Sequence, residues 1–129
     1  MKTSAIAAVF AALGTAAFDD PVEGIWNTKT NDNDNYGHVE IKPCSPALCG
    51  TLVKALNGAD KEIESDNIGR RIVWDMVAFA EGLYDDGGIC SPDRDKEYNG
   101  DMSLAGDGLA VRGCVLGICR DGGSWKRVN

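Results

Sequence analysis

Glu23-Gly24-Ile25-Trp26-Asn27-Thr28 places a glycine two residues before a tryptophan in the first strand-like stretch, and Ser124-Trp125-Lys126-Arg127 near the end of the chain answers it. A glycine at that point lets another backbone approach while the indole caps an apolar interior. A guanidinium from the late segment laid over the indole adds roughly 0.5–2 kcal/mol as a cation–π contact. If Gly24, Trp26 and Arg127 form such a clasp, the first and last strands are neighbours and the sheet closes on itself.

The stretches between them read as further strands. His38-Val39-Glu40-Ile41-Lys42 alternates with period two, which predicts a strand with Val39 and Ile41 facing inward. Pro43 to Gly50 turns, and Thr51 to Ala55 runs back. Ile72 to Phe79 is apolar on both parities except at Asp75, as a strand covered on both faces would be. Glu81 to Gly88 reads as a turn before a short strand through Ile89-Cys90. Lys96 to Leu104 sets Tyr98, Met102 and Leu104 on one parity. Gly106-Asp107-Gly108 turns into Leu109 to Gly113, and Ser124 to Val128 is the last strand. Asn57 to Arg71 is the least strand-like part, with room for a helical turn, and is expected to be an insertion or lid.

Eight short strands at hairpin spacing, with no crossover helix, predict an all-β fold: an eight-stranded antiparallel up-and-down barrel. A two-sheet sandwich is the competing arrangement, and the clasp is what separates the two. An eight-stranded barrel is either filled by its own side chains or just wide enough for one small ligand.

Residues 1–17 have the layout of a secretory signal: Lys2, an apolar run from Ala5 to Leu13, then Gly14-Thr15-Ala16-Ala17. The expected organisation is therefore a signal peptide over 1–17 and one barrel domain over 18–129, in a periplasmic or secreted protein. The apolar run is too short to span a bilayer, and no later stretch approaches the length a membrane helix needs. Lys2 is the only charge removed with the signal, so the formal charge moves from −7 to −8. No basic cluster remains to neutralise phosphates, so nucleic acid is not an expected partner.

Five cysteines follow the signal. Cys44 and Cys49 repeat the spacing of Cys114 and Cys119, each pair flanking a turn, and α-carbons across an antiparallel pair lie at a separation a disulfide accepts. Cys44–Cys49 and Cys114–Cys119 are the expected disulfides of an oxidising compartment. Zinc is disfavoured because structural zinc motifs space the near pair more tightly. Cys90 is the odd thiol, either buried and inert, a substitute partner in that scheme, or a link between two chains of a weak dimer rather than a monomer.

Chemistry-bearing constellations are few. Asn31-Asp32-Asn33-Asp34-Asn35-Tyr36-Gly37 tempts a calcium loop, but counting from Asp32 puts Tyr36 and Pro43 where ligands belong. His38 is the only histidine, so no Ser/His/Asp set can be assembled, and a lone His without Cys-x-x-Cys-His does not suggest haem. Asp75 within an apolar strand is the one candidate general base, with a hydrogen-bonded or outward-facing carboxylate as its plainer explanation. The expectation is no catalytic residue, no metal and no cofactor.

Gly24-Ile25-Trp26, Val39-Glu40-Ile41, Pro43-Cys44 with Leu48-Cys49-Gly50, Gly69-Arg70, Gly87-Gly88-Ile89, Lys96 to Tyr98, Leu104 with Gly106-Asp107, Val111 with Gly113-Cys114, and Trp125 with Arg127-Val128 together resemble a bacterial family of small exported proteins, domain of unknown function 2147. That family is similar to lipocalins and other calycins in fold, which implies a barrel whose opening Gly-Trp packs on a closing Arg. The resemblance implies no reaction. Two functions of different kinds are open: a small hydrophobic or amphipathic ligand held in the barrel by Trp74, Met76, Tyr98, Met102 and Val111, or a filled barrel acting in the cell envelope through its acidic surface and the 57–71 loop.

Overall fold

The computed structural model describes residues 20–92, 94–116 and 118–128. The signal-like segment 1–17 lies outside the described residues. The strands are β1 (Gly24–Asn27), β2 (Tyr36–Pro43), β3 (Leu48–Leu56), β4 (Glu62–Ile63), β5 (Arg71–Ala80), β6 (Leu83–Ser91), β7 (Lys96–Ala105), β8 (Gly108–Val115) and β9 (Ile118–Arg127). All pairings are antiparallel. Eight strands form a ring in the order β1-β2-β3-β5-β6-β7-β8-β9, closed where β9 pairs with β1 through Lys126 opposite Asn27 and Arg127 opposite Trp26. β4 is the ninth strand and lies outside the ring.

The barrel is closed because alternation holds through most strands. Val39, Ile41, Leu52, Val73, Met76, Tyr84, Met102, Leu109, Val111 and Trp125 join Trp26 in one continuous buried cluster along the axis. A polar residue in these positions would lose hydration without a partner, so the sequence pattern leaves one face available to the core.

Four expectations need correction. The final strand begins at Ile118, well before Ser124, because Cys114 stands directly opposite Cys119 and the hairpin pairs from its tip. The residues from Asp85 to Gly88 belong to β6 and are not a turn; the tight turn sits at the join of β5 and β6, with Gly82 at φ 75°. β5 is not covered on both faces: Val77 and Phe79 are exposed, so its lower half turns an apolar edge to solvent. The stretch from Asn57 to Arg71 contains no helix, and much of it is tied to the wall. It fills the part of the β3 edge above β5: Ile63 and Glu62 pair with Ala55 and Leu56, while Leu52 donates its backbone N–H to the Arg70 carbonyl at 2.9 Å and accepts from Gly69 at 2.8 Å. β3 outruns its neighbour, and the excursion satisfies backbone groups that would otherwise lack partners.

Candidate functional site

One end of the barrel is a sealed floor. Gly24 enters β1 at φ 133°, a conformation side chains rarely tolerate, and delivers Trp26 into the axis with no exposed surface. The indole N–H donates to the carbonyl of Val22 at 2.9 Å. The Arg127 guanidinium lies 4.4 Å from the ring centroid and also donates to the carbonyls of Glu23 and Pro21. Residues Asp20 to Glu23 form a turn across the opening, with the Val22 N–H on the Asp20 carboxylate at 3.0 Å. The buried Tyr84 hydroxyl donates to that carboxylate as well. Burial, reinforced by Asp20, holds the Tyr84 phenol above the ordinary tyrosine range.

The five residues expected to line an internal ligand site are divided. Met76, Met102 and Val111 are in the axial cluster, packed among Trp26, Tyr84 and Leu109. Tyr98 is half-buried near the opposite rim, against Gly113. Trp74 is on the outer wall. The cause is a bulge at Asp75, whose φ is 55°. Val73 and Met76 are both fully buried although three residues apart, so the alternation changes parity between them. In a regular strand Trp74 and Met76 would share a face; here they take opposite ones.

Trp74 stands opposite Gly88, and a β-carbon added to that glycine would fall 2.3 Å from the indole Cε2 and Nε1 and 2.5 Å from Cζ2. Three near-equal distances mean that one ring face lies flat on the glycine backbone. The half-exposed indole borders a hollow of about 550 Å³, which also reaches Tyr98, Asp75, Asp86, Glu97 and the β8–β9 tip at Leu116. Asp86 sits at a second bulge, with φ 64°. None of Asp75, Asp86 and Glu97 takes part in the ion pairs found among the described residues. Asp75 is exposed at the mouth of this hollow, so the enclosed setting a general base requires is not there. Asp86, Glu97 and Gly88 were not legible as site residues, because Asp86 and Gly88 fall in what reads as a turn and Glu97, at the start of β7, reaches the hollow only through strand pairing.

A second hollow of about 610 Å³ lies beneath the 57–71 excursion, between exposed Val53 and Ile68 and the carboxylates of Glu62, Glu64 and Asp66.

The disulfides are Cys44–Cys49 and Cys114–Cys119. Only the second joins directly opposed strand residues. Cys49 faces Lys42 across the ladder, and Cys44 sits in the turn beyond β2, its N–H donating to the Ala47 carbonyl at 2.9 Å. Two groups of potential metal ligands, Cys44–Cys49–Asp75 and Asp101–Cys114–Cys119, each draw their sulfurs from a disulfide and offer no thiolate while it is intact. Cys90 is free and 3% exposed, so an intermolecular disulfide would need the rim to open. Burial raises its thiol pKa, partly offset by the nearby Arg70 guanidinium, which is also bound to Asp95 at 2.6 Å. His38 sits in β2 opposite Asn27 and Lys54; partial burial and the Lys54 charge lower its pKa. Among the described residues no helix is long and apolar enough to cross a membrane.

The profile of a bacterial family described as "Uncharacterized protein conserved in bacteria (DUF2147)" matches residues 24–127. No curated protein matches. Among solved structures, the chain is similar to protein HP1028 of the human pathogen Helicobacter pylori, described as belonging to the lipocalin family, at 14% identity over 84% of this chain and 83% of that one, with a TM-score of 0.68. At that identity the likeness is one of fold.

Proposed function

Because this chain belongs to the bacterial family known as domain of unknown function 2147 and folds as a lipocalin-like barrel, we propose that it is an exported binding protein that holds a small amphipathic molecule outside the barrel wall, at Trp74, and not along the axis. The observation that carries this is the division of the two regions: the axis is filled by large side chains from Trp26 to Met102, while the half-exposed Trp74 borders a hollow of about 550 Å³. Ligand sites are typically concave, of about 300–1,000 Å³, with aromatic surface and a few polar groups. Export to an oxidising compartment suits the two disulfides. Catalysis has little support, with one half-buried histidine and an exposed Asp75.

Incubation of the purified protein with an envelope extract, followed by mass spectrometry of what co-elutes, tests the proposal. A retained molecule that is lost from Trp74→Ala and kept by Met102→Leu supports the outer hollow. Loss from Met102→Leu with retention by Trp74→Ala would move the ligand to the axis.

A second function is favoured by the hollow beneath the 57–71 excursion, where Val53 and Ile68 are exposed beside three carboxylates. There the protein would engage another envelope component through its surface. Crosslinking in intact cells tests it, and recovery of the monomer alone would count against a stable partner.

A further inference from the structure

Trp26 has a cation laid on its face by its own chain, 4.4 Å from the ring centroid. Trp74 has the complementary arrangement without the cation. One face of its indole rests on Gly88, which leaves the opposite face to account for its exposure. Around it the hollow is lined by Asp75, Asp86 and Glu97 and by no lysine or arginine. Aromatic faces attract cations through the ring quadrupole, and quaternary ammonium groups are recognised in this way. Carboxylates at the edge of such a face add attraction for positive charge and penalise a negative one. The Trp74 N–H has no hydrogen-bond partner among the described residues and remains available to a polar group of a bound molecule.

Resting on the outer hollow as the ligand site, we propose that this site selects organic cations: an alkylammonium or quaternary ammonium head is held against the exposed face of Trp74 by Asp75, Asp86 and Glu97, and its apolar tail lies toward exposed Leu116. The three carboxylates are separated from one another in sequence and border one hollow only through the paired bulges in β5 and β6 and the neighbouring start of β7, with the Asp75 carboxylate also lying near the Cys44–Cys49 sulfurs. A salt-bridged surface would pair them with its own lysines; here none has an ion-pair partner among the described residues, and all three line the hollow that Trp74 borders.

The test uses three eight-carbon probes below their aggregation limits: octyltrimethylammonium, octyl glucoside and octyl sulfate. Tryptophan emission reports on the site, since Trp26 and Trp125 are buried and Trp74 is not, and calorimetry gives an independent affinity. The expected result is binding of the cation about tenfold or more tighter than the glucoside, no binding of the sulfate, and weakening of the cation by added salt. The emission change should vanish in Trp74→Phe. The combined variant Asp75→Asn, Asp86→Asn, Glu97→Gln should lose at least about tenfold for the cation and leave the glucoside unchanged. Asparagine tolerates the positive φ of the first two sites, and an unaltered thermal transition would verify that the barrel is intact. Equal binding of all three probes, abolished by Trp74→Ala, would overturn cation selection and leave the outer hollow as a ligand site. Cation binding that persists unchanged in the neutralised variant would also overturn it. Binding of none of the probes would remove both the selection and the site.

Discussion

Two tryptophans, one in the floor of the barrel and one on its outer wall, use the same elements to different effect. Trp26 sits two residues after a glycine, faces inward, and meets a guanidinium; Trp74 lies on a glycine across the ladder, faces outward, and meets carboxylates. The floor is satisfied by its own chain: its hydrogen bonds and its cation–π contact are made among residues 20–26, Tyr84 and Arg127, and Arg127 is further tied to Asp107. The outer wall keeps an aromatic face and negative charge without a cation from its own chain. The first arrangement contributes to stability, and the second is suited to recognition.

The comparison can be broken most severely at the floor. Replacing Trp26 with alanine should cost about 3–5 kcal/mol, as a fully buried aromatic leaves a cavity that the closed ring cannot collapse into. Trp74→Ala should cost no more than about 1 kcal/mol, because a half-exposed ring on a wall is not a keystone. Chemical denaturation of both variants checks the difference, and equal losses would erase the distinction between the two regions. Arg127→Met keeps the aliphatic stem and removes the charge and its donors to Pro21 and Glu23; a loss of about 2 kcal/mol is expected, from the cation–π contact together with the hydrogen bonds. Trp26 emission should shift as the floor loosens.

Tyr84→Phe sharpens the same comparison with a smaller effect. Removing the hydroxyl leaves the Asp20 carboxylate without one of its donors, for a loss of about 1–2 kcal/mol near neutral pH. The sign with pH follows from the raised phenol: the native tyrosine keeps its proton where the unfolded one begins to ionise, near pH 10. Its stabilisation is therefore whole below that pH and is lost as pH rises toward the folded value. Wild-type stability should fall more steeply with alkali than that of the variant, and parallel curves would place the Tyr84 hydroxyl outside the floor's bonding.

Much of this fold was legible in residues near one another. Val39 and Ile41 are inward because their strand alternates without interruption, and Met102 and Leu104 lie on the parity read for them. Cys114 and Cys119 face each other because a short turn leaves little choice of register. The candidate site was less legible. Trp74 and Met76 share a parity in sequence, yet the left-handed turn at Asp75 separates them to opposite faces. Nothing in the local pattern marks this, since an aspartate in an apolar strand reads equally as a buried base or an outward carboxylate. The role of Gly88 was hidden for a related reason: its lack of a side chain matters only because the ladder sets Trp74 against it.

By itself, the sequence determined the eight-stranded antiparallel barrel and which groups would meet where its first and last strands join, because period-two patterning and hairpin turns leave few ways to bury an apolar face. Only the tertiary structure decided that the axis is filled and that Trp74 stands outside, on a hollow shared with Asp75 of its own strand and with Asp86 and Glu97 of the next two strands. Bulges reset parity one residue at a time, and cross-strand neighbours are fixed by the closed ladder, so neither can be read along a single strand.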